Sequence, residues 1–261
     1  MNQTFNIHRF WLMLKLDFLE NRRTMIVMLA LKLSVMLLLM ISILWASPYG
    51  NMDISHVFAL MTIVILGGSF YTISIFKNYD HSSTGMSSTM LPASQFEKYL
   101  SKWLLNIIYI TFLYGSFLFL HFYLTGLANQ ALPEKSQKFN TISSDYQYLF
   151  LQFLLLVQAF SFLGSIYFSK NNFYKSAAVL VVSFIVFALI YVNLAKMLTG
   201  FPASLNTLPF SEWRIQFEPN ILNFVKIDAS DNIQKLSALI APFILVSMWF
   251  ITYVRLKEKE I

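Results

Sequence analysis

The sequence contains no cysteine and few charged residues. Without cysteine, the chain forms no disulfide, no thiolate metal site and no cysteine nucleophile. Asp, Glu, Lys and Arg make up 12% of the 261 residues, against about 25% in a typical soluble domain. Hydrophobic residues make up 57%, and the mean hydropathy is +0.59. A water-soluble fold of this length could not bury so much apolar surface, so the composition predicts a membrane protein.

Several catalytic motifs are also missing. The chain has no phosphate-binding G-x-x-x-x-G-K-[ST], so it cannot hydrolyse ATP by that route, and it has no H-E-x-x-H. A nucleic-acid partner is not expected, because the basic residues lie beside apolar runs rather than in one stripe. We therefore expect a chain that is not an enzyme and that binds no cofactor or nucleic acid.

Six apolar stretches are long enough to cross about 30 Å of hydrocarbon as helices. They are residues 25–46, 57–76, 103–124, 148–168, 176–198 and 236–254. None of them has an Asp or Glu in its apolar middle, where a proton relay or an intramembrane protease needs one. With no long polar stretch left over, we expect a single all-α membrane domain over residues 1–261.

The basic residues predict the orientation of these spans. Lys and Arg are about twice as frequent in the segments on one side of the six spans as on the other. By the positive-inside rule, both termini are expected in the cytoplasm and the protein in the cell's inner membrane. The outer segments then include a loop at 199–235, in which the alternating residues 213–217 predict a short strand.

Residues 5–20 predict an amphipathic helix in the cytoplasmic interface. Ile7, Phe10, Trp11, Leu14 and Phe18 recur at spacings of three and four. The Arg22-Arg23 pair is expected to turn the chain from this leader into the first span. The alternative is a loosely attached leader without a partner.

The cytoplasmic segment 77–102 is too long for a simple turn. Pro92 ends any preceding helix, and Ser94 and Glu97 have the S-x-x-E form of a capping box. A new helix is therefore expected to begin after Ser94 and to continue into the third span. It would present Phe96, Tyr99, Leu100 and Trp103 at the cytoplasmic surface. The alternative is a well-capped start of a membrane helix with no partner.

A few polar residues lie inside the predicted spans. Lys32 is the charge well inside a span, and we expect its stem to reach toward the cytoplasmic headgroups. The alternative role for Lys32 is contact with an anionic lipid or substrate. The amides are expected to make hydrogen bonds between helices, and the small residues to allow close helix packing. The amides are Asn106, Gln152, Gln158 and Asn193, and the small residues include Gly67, Gly68, Gly115 and Gly164. His56 and His121 lack supporting ligands, so we expect no metal there.

This layout resembles the permease subunit of type-2 ATP-binding-cassette exporters. The segments WLMLKLDFLENRRT, residues 11–24, and TMLPASQFEKYLSKWL, residues 89–104, are similar to the leader and second-loop segments of permease-like proteins of Bacteroidetes. The layout is similar over the whole chain and the residues over about thirty positions. The loop at 199–235 departs from the family pattern, which has short re-entrant helices there.

The resemblance implies a mechanism and partners. The leader would be the elbow helix, and residues within 84–98 would carry the coupling helix that docks on a separate cytoplasmic ATPase. The implied coupling residues are Ser94, Phe96, Glu97 and Tyr99. Two permease copies, as a homodimer or a heterodimer, would enclose the transport path near the second and fifth spans. Asn193 would face this path, and Lys32 would be a further contact with the path or with lipid. The substrate would be amphipathic or lipid-like. A membrane-embedded enzyme and a non-transporting scaffold or sensor subunit are the alternatives.

Overall fold

The computed structural model describes residues 5–46, 65, 67–76, 93–133, 138–168, 172–199, 213–216, 224–227 and 231–259. Over these residues the chain is helical apart from one small sheet. The helices are α1, Ile7–Ala46; α2, Gly67–Ser74; α3, Gln95–Ala131; α4, Ser144–Tyr167; α5, Asn172–Thr199; and α6, Asp231–Lys259. Each predicted span overlaps one of these helices; of the second span, residues 57–64 and 66 lie outside the described residues.

Two helices in the described part of the chain are long and apolar enough to cross a membrane. They are Gln95–Ala131 in α3 and Phe150–Tyr167 in α4. The apolar stretch Tyr174–Ile190 in α5 is shorter. The described part of the chain is therefore mainly helical, with two helices that could span a membrane. The six-span arrangement stays a prediction.

Helix α1 differs from the expected leader and first span. It continues for 40 residues through Arg22 and Arg23 without a break. The helix continues because this stretch contains neither glycine nor proline, and its amide and hydroxyl side chains do not interrupt it. The leader's buried face includes Phe10, Met13 and Asp17, whereas Trp11 and Phe18 are exposed. The expected stripe is therefore split between buried and exposed positions.

The core of the molecule lies where α3 and α4 meet the other helices. Helix α1 packs along α3, and α4 packs against α2, α5 and α6. Buried aromatic and aliphatic side chains fill the centre, including Tyr71, Tyr109, Leu113, Phe117 and Phe162. This packing brings the first turns of α3 beside both the N-terminal half of α1 and the last turns of α6.

The predicted short strand is present and has a partner. Strand β1, Trp213–Gln216, pairs antiparallel with β2, Phe224–Ile227. The register places Trp213 opposite Ile227 and Gln216 opposite Phe224. The partner strand, which has four residues, was not predicted.

Candidate coupling site at the start of helix α3

The capping box predicted at Ser94 is confirmed in full. Ser94 has extended backbone, with φ −67° and ψ 153°, and its Oγ accepts a hydrogen bond from the Glu97 N–H at 3.2 Å. The Ser94 N–H in turn donates to Glu97 Oε2 at 2.7 Å. These reciprocal bonds satisfy two backbone donors that a helix start leaves without partners. They fix where α3 begins, eight residues before the predicted span.

Glu97 also connects α3 to the beginning of α1. Its Oε1 accepts a hydrogen bond from the Asn6 N–H at 2.6 Å and one from Arg9 Nη2 at 3.2 Å. Burial favours the neutral acid, but the Asn6 and Ser94 N–H donors and the Arg9 charge outweigh it and lower the pKa of the Glu97 carboxyl. Since Glu97 is fully buried, we assign it a positioning role rather than direct contact with a partner.

A second connection between α1 and α3 lies one to two turns further along. Lys102 Nζ is 3.1 Å from Asp17 Oδ1, and both side chains are buried. The Ser101 hydroxyl donates to the second oxygen of the same carboxylate. Asp17 is not among the apolar residues that predict the amphipathic helix at residues 5–20. The missed signal is that Asp17 lies four residues after Met13 and seven after Phe10, on the helix face that the structure buries.

The aromatic residues of the first turns differ in exposure. Phe96 is 44% exposed, and its ring is 5.9 Å from the rings of Phe5 and Tyr253. Tyr99 is 7% exposed, and its hydroxyl donates to the Trp249 carbonyl at 2.8 Å. The expectation that Tyr99 lies at the surface is therefore wrong, because α6 covers it. Trp103 is also partly covered, by the indole of Trp249.

The accessible part of this site is therefore Phe96 and its contact Phe5, which is 47% exposed. Residues 84–92, where the rest of the coupling segment is predicted, lie outside the described residues. Ser94, Glu97 and Tyr99 hold the first turns of α3 in place between α1 and α6. Phe96 is the predicted coupling residue that a partner could touch.

Lys32 and Asn193 are not part of this site. Lys32 is 7% exposed, and its Nζ donates to the Tyr109 hydroxyl at 2.6 Å. The expected reach toward the headgroups is thus replaced by a contact inside the helix bundle. Asn193 is exposed on α5 and donates to the Leu189 carbonyl of its own helix, so it does not make the interhelical bond expected of it. It lines an open concavity of about 420 Å³, with Val186, Leu189, Ile190 and Met197.

The expected bonds between helices occur at two other amides. Thr72 on α2 donates to Asn106 Oδ1 of α3 at 2.8 Å, and its hydroxyl also contacts Gln158 Oε1 of α4. All three side chains are buried. Gln158 Nε2 has no partner among the described residues. This cluster ties three helices together in the apolar core.

Of the two histidines considered as metal ligands, His121 lies in the described part of the chain and has a structural contact. His121 is fully buried, and its Nε2 accepts a hydrogen bond from the Ile142 N–H at 3.1 Å. This nitrogen is therefore an unprotonated acceptor. Among the described residues, no group of three or more His, Asp or Glu could hold a metal ion. His56 lies outside the described residues.

No family model, curated protein or solved structure is significantly similar to this chain.

Proposed function

We propose that this chain is the permease subunit of an ATP-binding-cassette exporter. Two copies, or one copy and a related chain, would form the transport path and bind a separate cytoplasmic ATPase. The cargo is an amphipathic or lipid-like molecule that moves outward. The observation that carries the proposal is the capped start of α3, which is joined to α1 by the buried Asp17–Lys102 pair and by the partly exposed Arg9–Glu97 pair.

Helix α3 has the dimensions that a coupling element needs. Its 37 residues span about 55 Å at 1.5 Å per residue, whereas the hydrocarbon core is about 30 Å thick. The first turns therefore extend beyond the span predicted at 103–124. A displacement of these turns by the ATPase would therefore move one continuous helix that ends on the other side of the bilayer.

The two ties to α1 make this movement collective. Glu97 holds Asn6 and Arg9, and Lys102 holds Asp17. Breaking the buried Asp17–Lys102 pair leaves an uncompensated charge, which costs about 3–5 kcal/mol. Displacement of α3 therefore moves the N-terminal half of α1 with it rather than sliding past it.

The docking contact is Phe96, together with the predicted segment 84–92. Phe96 is partly exposed and backed by Phe5 and Tyr253, as expected of an aromatic anchor that a partner covers. For the path, the supporting feature is the exposed face of α5 around Asn193 and its concavity. An exposed amide among the apolar side chains of this concavity suits a path for an amphipathic molecule.

The test is copurification of the tagged chain with its ATPase from native membranes. We expect an ATP-binding-cassette ATPase at a stoichiometric ratio, and we expect Phe96→Ala to weaken its association by about thirtyfold, since an aromatic anchor often contributes about 2 kcal/mol. The matched control is Phe119→Ala, which removes an exposed ring further along the same helix and should leave recovery unchanged.

One result would contradict the exporter assignment, and another would contradict only the docking contact at Phe96. If the chain purifies without any ATPase under conditions that preserve known permease complexes, the exporter assignment fails. If the ATPase is recovered equally with Phe96→Ala and the wild type, the assignment survives but the contact lies elsewhere, within 84–92. Substrate turnover by the purified chain alone would favour the membrane-embedded enzyme instead.

A further inference from the structure

Three helix ends meet in a chain of two cations and two aromatic rings. The guanidinium of Arg255, near the end of α6, lies 4.7 Å from the ring centroid of Tyr167. Tyr167 and Phe168, at the end of α4, have ring centroids 5.4 Å apart. The Nζ of Lys175, in the first turn of α5, lies 5.7 Å from the Phe168 ring. We call these four residues the cation–ring chain.

The cation–ring chain is open to its surroundings. Tyr167 is 56% exposed, the Arg255 side chain is 43% exposed, and Lys175 is also exposed. Arg255 Nη1 donates to Glu258, and the guanidinium also makes a hydrogen bond with the Tyr167 side chain. A guanidinium has five N–H donors, so donors remain for another acceptor. The described part of this surface therefore carries a net positive charge.

This surface lies at the same end of the molecule as the capped start of α3. Tyr253, two residues before Arg255, packs its ring against both Phe96 and Tyr99. The positive-inside argument places this end in the cytoplasm. Exposed aromatic rings beside cations at a helix end are typical of headgroup depth, where the ring lies at the apolar boundary and the charge in water.

The geometry also favours a particular ligand chemistry. Each cation rests on a ring face, so part of its rotamer freedom is already lost before a ligand arrives. Arginine presents paired donors that match phosphate oxygens, and lysine adds a point charge. A zwitterionic headgroup has no net charge to offer, whereas an anionic phospholipid does.

We propose that the cation–ring chain of Arg255, Tyr167, Phe168 and Lys175 binds the headgroup of an anionic phospholipid of the inner leaflet. The bound lipid joins the ends of α4, α5 and α6 beside the start of α3. This site is separate from the ATPase contact and does not depend on the exporter assignment, although it requires that this end of the molecule faces a membrane.

The test measures lipid binding to the purified full-length chain by native mass spectrometry. The probes are dioleoyl phosphatidylglycerol and dioleoyl phosphatidylcholine at equal concentrations. We expect the anionic lipid to bind at least about tenfold more tightly, and Lys175→Gln combined with Arg255→Gln to abolish this preference, because each cation near an anionic headgroup contributes several-fold in affinity. Tyr167→Leu keeps both charges and should weaken binding severalfold by freeing the guanidinium.

The matched control is Lys138→Gln combined with Lys196→Gln, which removes two exposed lysines predicted on the other side. Equal losses in the two double variants would overturn the proposal, because the preference would then follow net charge alone. Equal binding of the two lipids would also overturn it.

If lipid binding persists in Lys175→Gln/Arg255→Gln while ATPase recovery falls, the surface belongs to the ATPase. Where the double variant unfolds, as judged by its thermal midpoint, the single variant Lys175→Gln replaces it with the same expected direction.

Discussion

At the scale of single residues, the buried pair of Asp17 and Lys102 has the largest consequence. Both side chains are almost fully buried, and the carboxylate also accepts the Ser101 hydroxyl. Removing both partners of such a pair is often neutral, while removing one leaves a buried charge without its counterion. The pair is therefore better described as a constraint on how α1 and α3 dock than as a large net source of stability.

We expect Asp17→Asn to lower the free energy of unfolding by about 3–5 kcal/mol, and Asp17→Leu combined with Lys102→Met to restore much of it. The measurement is thermal unfolding of the purified chain in detergent. Glu258→Gln is the control, because its pair with Arg255 is about half exposed and screened by solvent, so its loss should leave the stability nearly unchanged. A double variant that is less stable than Asp17→Asn would show that the pair is a net stabilising interaction.

At the scale of helices, two N-termini provide a natural comparison. Ser94 caps α3 with a side-chain hydrogen bond, whereas Ser143, the N-cap residue of α4, makes no side-chain capping bond. Both have extended backbone of nearly the same geometry. The difference between them isolates the contribution of the capping hydrogen bond.

Ser94→Ala should destabilise the protein by about 1 kcal/mol, since it removes the acceptor for the Glu97 N–H. Ser143→Ala should change stability by less than about 0.5 kcal/mol. Denaturation of the two variants under the same conditions makes the comparison. Similar losses in both would mean that the reciprocal bonds at Ser94 contribute little to the start of α3.

Helices α4 and α5 approach each other at Gly164. A Cβ added there would lie 2.0 Å from Ser176 Oγ and 2.7 Å from Ser176 Cβ, whereas a Cβ at Gly115 would meet nothing within 4 Å. The prediction of close packing is thus confirmed at Gly164 and wrong at Gly115, because periodicity does not reveal which face of a helix meets a neighbour.

For Gly164→Ala we expect a loss of about 1–3 kcal/mol, since α5 must shift to accommodate the methyl group. For Gly115→Ala we expect no loss or a gain of up to about 1 kcal/mol from helix propensity. The measurement is the thermal midpoint of unfolding of each variant. Equal stability of both variants would show that α4 and α5 can separate at no cost.

At the scale of the whole molecule, the sequence predicts elements better than contacts. Apolar runs and the S-x-x-E pattern are local signals, so the helices and the start of α3 follow from them. Burial of Tyr99 under α6 and of Asp17 against Lys102 depends on residues 150 and 85 positions away. Such pairings leave no mark in local periodicity. The turn expected at Arg22-Arg23 is absent for a local reason. Charged residues do not end a helix in a stretch that contains no glycine or proline.

The arrangement of the spans across the bilayer is the claim on which the other functional statements depend. The absence of cysteine allows single cysteines to be introduced without background. Phe5, Lys138 and Lys257 are exposed, and they lie before the first predicted span, between the third and fourth, and after the sixth. Substitution of each by cysteine places one label on each of these segments.

The decisive measurement is labelling of these three single-cysteine variants with a membrane-impermeant maleimide, in intact cells and in inverted membrane vesicles. The six-span arrangement with both termini in the cytoplasm predicts that Lys138→Cys reacts in intact cells. It also predicts that Phe5→Cys and Lys257→Cys react in inverted vesicles alone. Labelling of Phe5→Cys or Lys257→Cys in intact cells, or of Lys138→Cys on the same side as both, would contradict the six-span arrangement. Labelling of Phe5→Cys in intact cells would also place the start of α3 out of reach of a cytoplasmic ATPase, because Phe5 contacts Phe96.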